Sequence, residues 1–598
     1  MNPLYYFISA LTISYLLTPA VKRIAERYKY LSHPDTDRWH KTPTPLFGGV
    51  AIYLAFIGTI LLLNLYHKEG ITPFVNLLIC STLIFLLGLI DDIKKLPPQI
   101  KLVGQIIVSA IAVFLGLQIE IITNPFISVP LTIFWFIAIT NAFNLIDNMD
   151  GLSSGIAFIS SIILFVFSFI SGNAVLMYLT ASIAGAALGF LRYNFNPAQI
   201  FMGDSGSMFL GFSLASVALM GTWQEASNLA VTLIIPVTVL AVPIFDTTLV
   251  TVVRRLKGIP LSQGGKDHIS HRLVMLGLSE RKAVLILYGI SIFFGLLAVT
   301  GVYLNIYITL LIVIIAMVVL FFFGMFLGQI EVYERVSDEE YRTSDIEHKK
   351  NVTLIDVFLL NKKRLAEIFI DLILIIVAYF SAHLIRFEGV ITSDILNVIK
   401  YSLPVIIISK FSMFYFFGLY KGEWRYIGIY DLISILKAVS LGSIISIAAM
   451  VYFTRFSGLS RAVFVIDWMI TLLLIAGARV SLRLFKEYFS GIAQRKGKRI
   501  LIYGAGDGGY MLLRELKNNS RLNYNPVGFI DDDRAKIGKN IYGIPVLGTR
   551  SDMANIIREK DIEEVIIAMP SVSDEKIDDV YKICKEMNVI YNRMTSII

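Results

Sequence analysis

The chain has 598 residues, of which 56% are hydrophobic and 16% charged, with a mean hydropathy of +0.70. That balance excludes a soluble enzyme, a disordered chain and a disulfide scaffold, because no water-exposed globule carries so much apolar surface without aggregating. The formal net charge of +8 is accounted for by basic loops drawn to anionic lipid, so no nucleic acid is expected as a partner. Cys80 lies in an apolar run and Cys584 near the C-terminus, which supplies no framework of bridges.

Apolar runs of bilayer-crossing length predict spans near 4–21, 47–66, 74–90, 101–118, 130–146, 154–171, 174–191, 207–222, 229–253, 283–302, 304–327, 365–385, 401–420, 432–454 and 462–482. The fold class is therefore a polytopic α-helical membrane protein of about 15 spans, followed by an α/β domain over 496–598. Lys22 and Arg23 follow the first span and nothing basic precedes it, which places the N-terminus outside and, by odd parity, the C-terminus in the cytoplasm. The other loops agree: 22–41, 254–282 and 335–364 hold six, seven and seven basic residues, whereas the loops expected outside hold only Lys68, Arg386, Lys400, Arg455 and Arg461. Residues 331–364 mix acids and bases with almost no apolar block and read as a cytoplasmic linker between membrane modules at 1–330 and 365–490.

Polar residues at membrane depth are costly, so their positions point to work. The first loop carries Asp35, Asp37, Arg38, His40 and Lys41, then Pro43-Thr44-Pro45 and Gly48-Gly49. Asp91-Asp92 and Lys101 follow, then Asn141, Asn144, Asp147 and Asp150, whose spacing by three keeps them along one helical stripe. Phe201-Met202-Gly203-Asp204-Ser205-Gly206-Ser207 opens a later span, and Lys266, Asp267, His268, Ser270, His271 and Arg272 form a basic loop. Each cluster has a plain alternative: Asp91-Asp92 or Asp204-Ser205 could cap helices, the histidines could be solvated, and the asparagines could bond neighbouring helices. What weakens these alternatives together is that all five clusters fall on one membrane face. Carboxylates able to hold Mg²⁺, with Lys, Arg and His able to grip phosphate, are what phosphoryl transfer from a nucleotide diphosphate requires, and a helix N-terminus at Gly203–Ser207 would add N–H groups for an anion. A transporter or flippase of lipid-linked sugar is the rival class, but it would carry polar groups at the midplane.

In their order, Asp37-Arg38-x-His40-Lys41, Asp91-Asp92, Asn141-x-x-Asn144-x-x-Asp147-x-x-Asp150-Gly151, Phe201–Gly206 and Asp267-His268-x-Ser270-His271-Arg272 resemble the polyprenyl-phosphate N-acetylhexosamine-1-phosphate transferases, the group containing WecA, TagO and MraY. The resemblance covers about 1–330 and implies transfer of a sugar-1-phosphate, most readily GlcNAc-1-phosphate, from a UDP-N-acetylhexosamine to undecaprenyl phosphate, with Mg²⁺ or Mn²⁺ and release of UMP. It implies a multi-pass protein of the inner (cytoplasmic) membrane that starts a lipid-linked cell-surface glycan. Among residues, it implies catalytic roles for Asp91, Asp92, Asp147, Asp204, His268 and His271, with Asp204 and Asp92 on the metal. Lys41, Lys101, Asn141, Asn144, Asp150, Phe201 (stacked on uracil) and Arg272 would bind substrate. The family loop usually reads His-x-His-His, whereas this chain has Ser270 at the middle position.

The last segment changes character. Lys498–Tyr503 reads as a buried strand, Gly504-Ala505-Gly506-Asp507-Gly508-Gly509 as a G-x-G-x-x-G turn, and the stretch through Leu516 as a helix, which is the setting a dinucleotide fingerprint needs. Val527–Ile530 leads to Asp531, a candidate ribose-binding acid, and Val565–Ala568 is a third strand. Gly504, Gly506, Gly509 and Asp531 are thus the candidate nucleotide or dinucleotide site, in a Rossmann-like domain. Residues 365–598 resemble the membrane and first Rossmann-like part of CapD and PglF type nucleotide-sugar 4,6-dehydratases. No second glycine fingerprint follows Gly509 and no Tyr-x-x-x-Lys stands in a catalytic setting, so a regulatory or scaffolding role is expected rather than dehydration. Self-association, or docking of other glycan-synthesis enzymes, is compatible with this reading, and a membrane-anchored nucleotide-sugar-modifying protein is its alternative.

Overall fold

The computed structural model describes residues 2–32, 43–67, 72–119, 122, 124–221, 229–257, 259–260, 265, 267–328, 330, 362–420, 428–455, 458–494, 497–518, 522, 524–569 and 574–593. Lys41, the other polar residues expected in the first loop, Lys266 and the linker at 331–361 lie outside the described residues. The chain divides into two compact units, Met1–Arg272 with Ser279–Val480, and Leu273–Leu278 with Ser481–Ile598.

The first unit is helical. Its elements are α1 (Pro3–Arg27), α2 (Gly48–His67), α3 (Thr72–Lys94), α4 (Pro98–Phe114), α5 (Pro125–Ile146), α6 (Leu152–Ile170), α7 (Ala174–Asn194), α8 (Gly203–Gly221), α9 (Leu229–Val239) and α10 (Ala241–Lys257). After these come α11 (Ile269–Met275), α12 (Glu280–Tyr303), α13 (Ile306–Gly328), α14 (Lys362–Arg386), α15 (Ser393–Phe416), α16 (Ile429–Thr454) and α17 (Arg461–Gln494), and α11 and α17 run across the unit boundary. Among the described residues, 11 helices are long and apolar enough to cross a membrane. The spans expected at 47–66 and 101–118 fall on shorter apolar helices, Gly48–Leu63 and Pro98–Phe114.

The span expected at 229–253 is two helices, broken at Leu240. Pro243 has no N–H to donate to Val239, so the ladder is interrupted where hydropathy alone reads a continuous run. Close approach of the helices around the site depends on glycine. A Cβ at Gly88 would meet the Asp204 carbonyl oxygen at 2.5 Å, and one at Gly49 would meet the Gly206 nitrogen at 2.2 Å. Side-chain atoms there would push α8 away from α3 and α2.

The four helices α14–α17 carry more polar structure than hydropathy suggests. Buried Lys410 on α15 donates to both carboxylate oxygens of Asp467 on α17, at 2.8 and 2.7 Å, and to Thr471 at 2.6 Å. Arg479 on α17 makes a two-pronged pair with Asp371 on α14, at 3.1 and 2.7 Å. In these two pairs each buried charge has its counter-charge, without which burial in an apolar interior is prohibitive.

The second unit holds a sheet in the order β5-β6-β4-β3-β7-β8, with β3 (Lys498–Tyr503), β4 (Tyr524–Ile530), β5 (Asn540–Ile541), β6 (Ile544–Gly548), β7 (Glu564–Ile567) and β8 (Ile590–Arg593). Two short strands in the first unit, β1 (Leu31–Ser32) and β2 (Thr44–Pro45), pair antiparallel. β3, β4, β6, β7 and β8 run parallel, and β5 turns back on β6. Alternation sorts the strands' side chains by face. Leu501, Tyr503, Val565 and Ile567 join Met553 and Ile557 of α19 (Met553–Glu559) and Ile577 and Val580 of α20 (Asp574–Glu586); Ile500, Ile502 and Ile566 join Leu513 and Leu516 of α18 (Asp507–Asn518). Both faces are thus covered by helices, and the strand order reverses beside β3, as in doubly wound nucleotide-binding folds.

Candidate active site

Four helix ends meet at one point in the first unit. Lys101, near the start of α4, forms ion pairs with Asp91 at the end of α3, at 3.0 Å, and with Asp204 at the start of α8, and it donates to the Asn144 amide oxygen at 3.1 Å. Asn144, on the last turn of α5, donates to Asp204 Oδ1 and to Ser207 Oγ, each at 3.0 Å. One turn deeper, Asn141 and Gln105 exchange amide hydrogen bonds at 3.2 and 2.8 Å. The sequence therefore identified Asp91, Lys101, Asn141, Asn144 and Asp204 as a set, and the fold brings them together. Gln105 was missed, although it lies four residues after Lys101 on the same helical stripe.

Asp92 does a different task from the metal ligation expected of it. Its two carboxylate oxygens accept the backbone N–H groups of Asp204, at 2.7 Å, and Ser205, at 3.0 Å. Asp92 thus caps α8 from a neighbouring helix, where the unpaired N–H groups and the helix dipole favour a negative charge. The expectation that this N-terminus receives a substrate anion is corrected by the same contacts: a side-chain anion already fills it. Asp91 takes the place beside Asp204 that the resemblance implies for Asp92. Asp204 keeps 33% of its side chain exposed, so it is partly accessible within an otherwise buried cluster.

Around this centre, the loop entering α8 is fixed to the start of α2. Phe201 donates its N–H to the Pro45 carbonyl at 2.8 Å, while Gly48 and Gly49 donate to the carbonyls of Phe201 and Met202 at 2.9 and 2.8 Å. Asp147 is the C-terminal cap residue of α5. Asp150 Oδ2 accepts from the Asn196 amide at 3.2 Å and from the Ala198 N–H at 2.9 Å. That carboxylate oxygen is occupied in shaping the loop before α8, which argues for a structural part in place of direct substrate binding.

The basic loop before α11 forms a second cluster. His268 Nδ1 lies 2.7 Å from Asp246 on α10, and Arg254, also on α10, bonds Asp267 twice at 2.7 Å. Ser270, the residue at the family's middle histidine, donates to Asn148 at 2.7 Å, which ties this loop to the end of α5. Burial works against a charged His268, but the Asp246 carboxylate, with Asp267 beside it, holds the imidazole above the ordinary histidine range. Burial, followed by repulsion from His268, lowers His271 to about 4, so His271 is neutral. Burial would raise Asp267, yet Arg254 holds its carboxyl below the usual range.

Arg272 does not face a substrate. Its side chain is 0% exposed and donates to the carbonyls of Asp267 at 2.7 Å, Leu327 at 2.8 Å and Ile330 at 3.1 Å. It anchors the loop to the end of α13, which corrects the expected contact with donor phosphate. Asp246, Arg254 and Asn148 were not singled out by sequence. A lone acid inside an apolar run was the available signal for Asp246.

In the second unit, Gly504 has φ +107° and a Cβ at Gly509 would meet the Gly504 oxygen at 2.0 Å, whereas a Cβ at Gly506 would meet nothing within 4 Å. The turn is therefore tight at its ends and open in the middle. Asp531 is turned back onto it, accepting from the Ala505 N–H at 2.8 Å, the Asp533 N–H at 2.9 Å and Lys536 at 2.9 Å. Its expected part in ribose binding is corrected: this carboxylate holds the glycine turn itself.

Comparison with known proteins places the chain in a family. Residues 74–222 match the glycosyl transferase family 4 model, and residues 416–591 match a CoA-binding domain model. The chain is 34% identical over 322 residues, 52% of this chain and 88% of the relative, to a probable undecaprenyl-phosphate N-acetylglucosaminyl 1-phosphate transferase of Bacillus subtilis. It is 31% identical to the decaprenyl-phosphate N-acetylglucosaminephosphotransferase of Mycobacterium tuberculosis, over 47% of this chain and 78% of that protein. It is 28% identical to the phospho-N-acetylmuramoyl-pentapeptide-transferase of Staphylococcus aureus, over 49% of this chain and 97% of that protein. With its converging carboxylates, lysine and asparagines on membrane helices, this chain belongs to the family of polyprenyl-phosphate sugar-1-phosphate transferases.

Proposed function

We propose that this protein transfers GlcNAc-1-phosphate from UDP-GlcNAc to undecaprenyl phosphate at the cytoplasmic face of the inner membrane, releasing UMP and starting a lipid-linked glycan. The observation that carries the reading is the meeting of Asp91, Lys101, Asn144 and Asp204 at one point. An oxygen of the lipid phosphate attacks the β-phosphorus of the donor. The bond between that phosphorus and the bridging oxygen breaks, and the electron pair leaves with UMP. Lys101 supplies a fixed positive charge for the phosphoryl oxygens, and Asn144 orients Asp204 by bonding its Oδ1. His268 supplies a second positive group for a phosphate.

Two carboxylates converging on one cation are a donor set suited to Mg²⁺, which takes hard oxygen ligands and leaves places for substrate phosphate and water. Asp204 and Asp91 would hold it, and the ion would neutralise charge on the diphosphate; among the described residues no group of three or more His, Cys, Asp or Glu side chains is arranged to hold a metal by itself. The test is incubation of the purified protein with undecaprenyl phosphate, Mg²⁺ and separate UDP-sugars. UMP formed with UDP-GlcNAc in preference to other UDP-sugars supports the assignment. Preference for another UDP-N-acetylhexosamine would change the donor, and no UMP with any of them would remove the reading.

The modules at 365–490 and 496–598 are proposed to regulate or scaffold this reaction, with a nucleotide-bearing ligand at the Gly504–Gly509 turn. The open space at Gly506 and the match to a CoA-binding domain model support that role. Calorimetry with CoA, NAD(H), NADP(H), UDP and UDP-sugars tests it, and absence of binding to all of them would leave a structural role.

A further inference from the structure

α10 carries a buried carboxylate that the transfer reaction has not used. Asp246 is 2% exposed. One of its oxygens lies 2.7 Å from His268 Nδ1, and the other accepts the Ile269 N–H at 2.7 Å. A carboxylate buried in an apolar helix is costly unless it is paired and hydrogen-bonded. Both of its contacts reach the same short loop, 22 and 23 residues away.

We propose that Asp246 is a positioning residue for His268, fixing Nδ1 against α10 so that Nε2 is the atom presented to a substrate phosphate. The proposal rests on the reading of His268 as a phosphate-binding group. A carboxylate at one ring nitrogen sets both the tautomer and the orientation of an imidazole, and it stabilises the protonated ring, whose other N–H then donates to an oxyanion. Among the described residues, the charged and titratable groups acting on His268 are Asp246 and Arg254 from α10 and Asp267 and His271 from its own segment. Asp246 is the strongest of those favouring the charged ring. Arg254 has a separate part: its guanidinium is committed to Asp267, holding the start of the loop.

The test is a double-mutant cycle in the full-length protein, reading UMP release against pH for Asp246→Asn, His268→Gln and the double variant. Asparagine keeps an acceptor for the Ile269 N–H while removing the charge. Asp246→Asn is expected to lower kcat/KM by about 10–100-fold, by analogy with the loss of a carboxylate behind a metal-ligating histidine, and to move the alkaline limb of the kcat/KM profile to lower pH. In the His268→Gln background the same change is expected to cost less than about 2-fold. Full additivity, or an Asp246→Asn profile superimposable on that of the parent, would overturn the proposal and leave Asp246 as a backbone clamp. His268→Gln with parental kinetics would instead remove the phosphate-binding reading and the proposal with it. If Asp246→Asn does not fold, Asp246→Glu serves: it retains the charge, so the alkaline limb stays in place while kcat/KM falls in the His268 background only. Equal losses for Asp246→Glu in both backgrounds would also overturn it.

Discussion

Asp92 gives both carboxylate oxygens to backbone N–H groups of α8, so the neighbouring acids Asp91 and Asp92 divide their work. Asp204→Asn is expected to reduce transfer by at least roughly 100-fold, because an amide cannot supply the charge that balances a cation against a diphosphate, a contribution of about 3 kcal/mol or more. Asp92→Ala should instead lower stability by about 1–2 kcal/mol through the lost cap, which thermal unfolding in detergent would register. Arg272→Ala follows the second pattern. Three carbonyls lose their donor, so destabilisation on the order of 3 kcal/mol is expected; a folded Arg272→Ala protein of unchanged stability and raised donor KM would restore the phosphate contact. Residue type and one-sided placement picked out Asp91, Lys101, Asn144 and Asp204, but which of two adjacent acids caps α8 and which shares Lys101 with Asp204 depends on a helix 112 residues away in sequence.

Among elements, the basic loop and α10 behave as a unit. His271 is held neutral at a value of about 4, below its ordinary 6.5. The unfolded chain therefore binds a proton that the folded chain refuses between those values, and His271's contribution to stability is present above pH 6.5 and lost as pH falls toward 4. His268, whose value is raised, runs the other way: its contribution is present at low pH and lost as pH rises through its folded value. His271→Gln is expected to flatten the decline in melting temperature between pH 6.5 and 4 relative to the parent; an unchanged slope would show that His271 is protonated in the folded protein. The helix contacts give a second expectation. Gly88→Ala places a methyl group against the Asp204 carbonyl and should cost about 1–3 kcal/mol by overpacking, with loss of activity as α8 is displaced. Hydropathy located these helices well, since it reports desolvation. It missed the break at Leu240, which Pro243 could have signalled, and the pairing of Asp246 with His268, which arises only when α10 and the loop fold against each other.

For the molecule as a whole, the glycine turn and its flanking strand and helix were legible because strand, turn and helix are local patterns; the inward-facing Asp531 was not, because its partner Ala505 sits 26 residues away. The residues placed at the reaction centre lie within the first 272 positions. A chain ending near Arg342 is therefore expected to retain UMP release, and loss of activity in a stable truncated protein would show that later helices complete the site. In the proposed reaction the β-phosphorus of the donor, with its sugar, moves to the lipid. Supplying UDP-GlcNAc labelled at the β-phosphorus, with undecaprenyl phosphate and Mg²⁺, and following the label tests this most directly. Label is expected in the lipid fraction with stoichiometric UMP, both reduced at least roughly 100-fold by Asp204→Asn; label retained in UDP, or equal transfer by Asp204→Asn, would contradict this transfer.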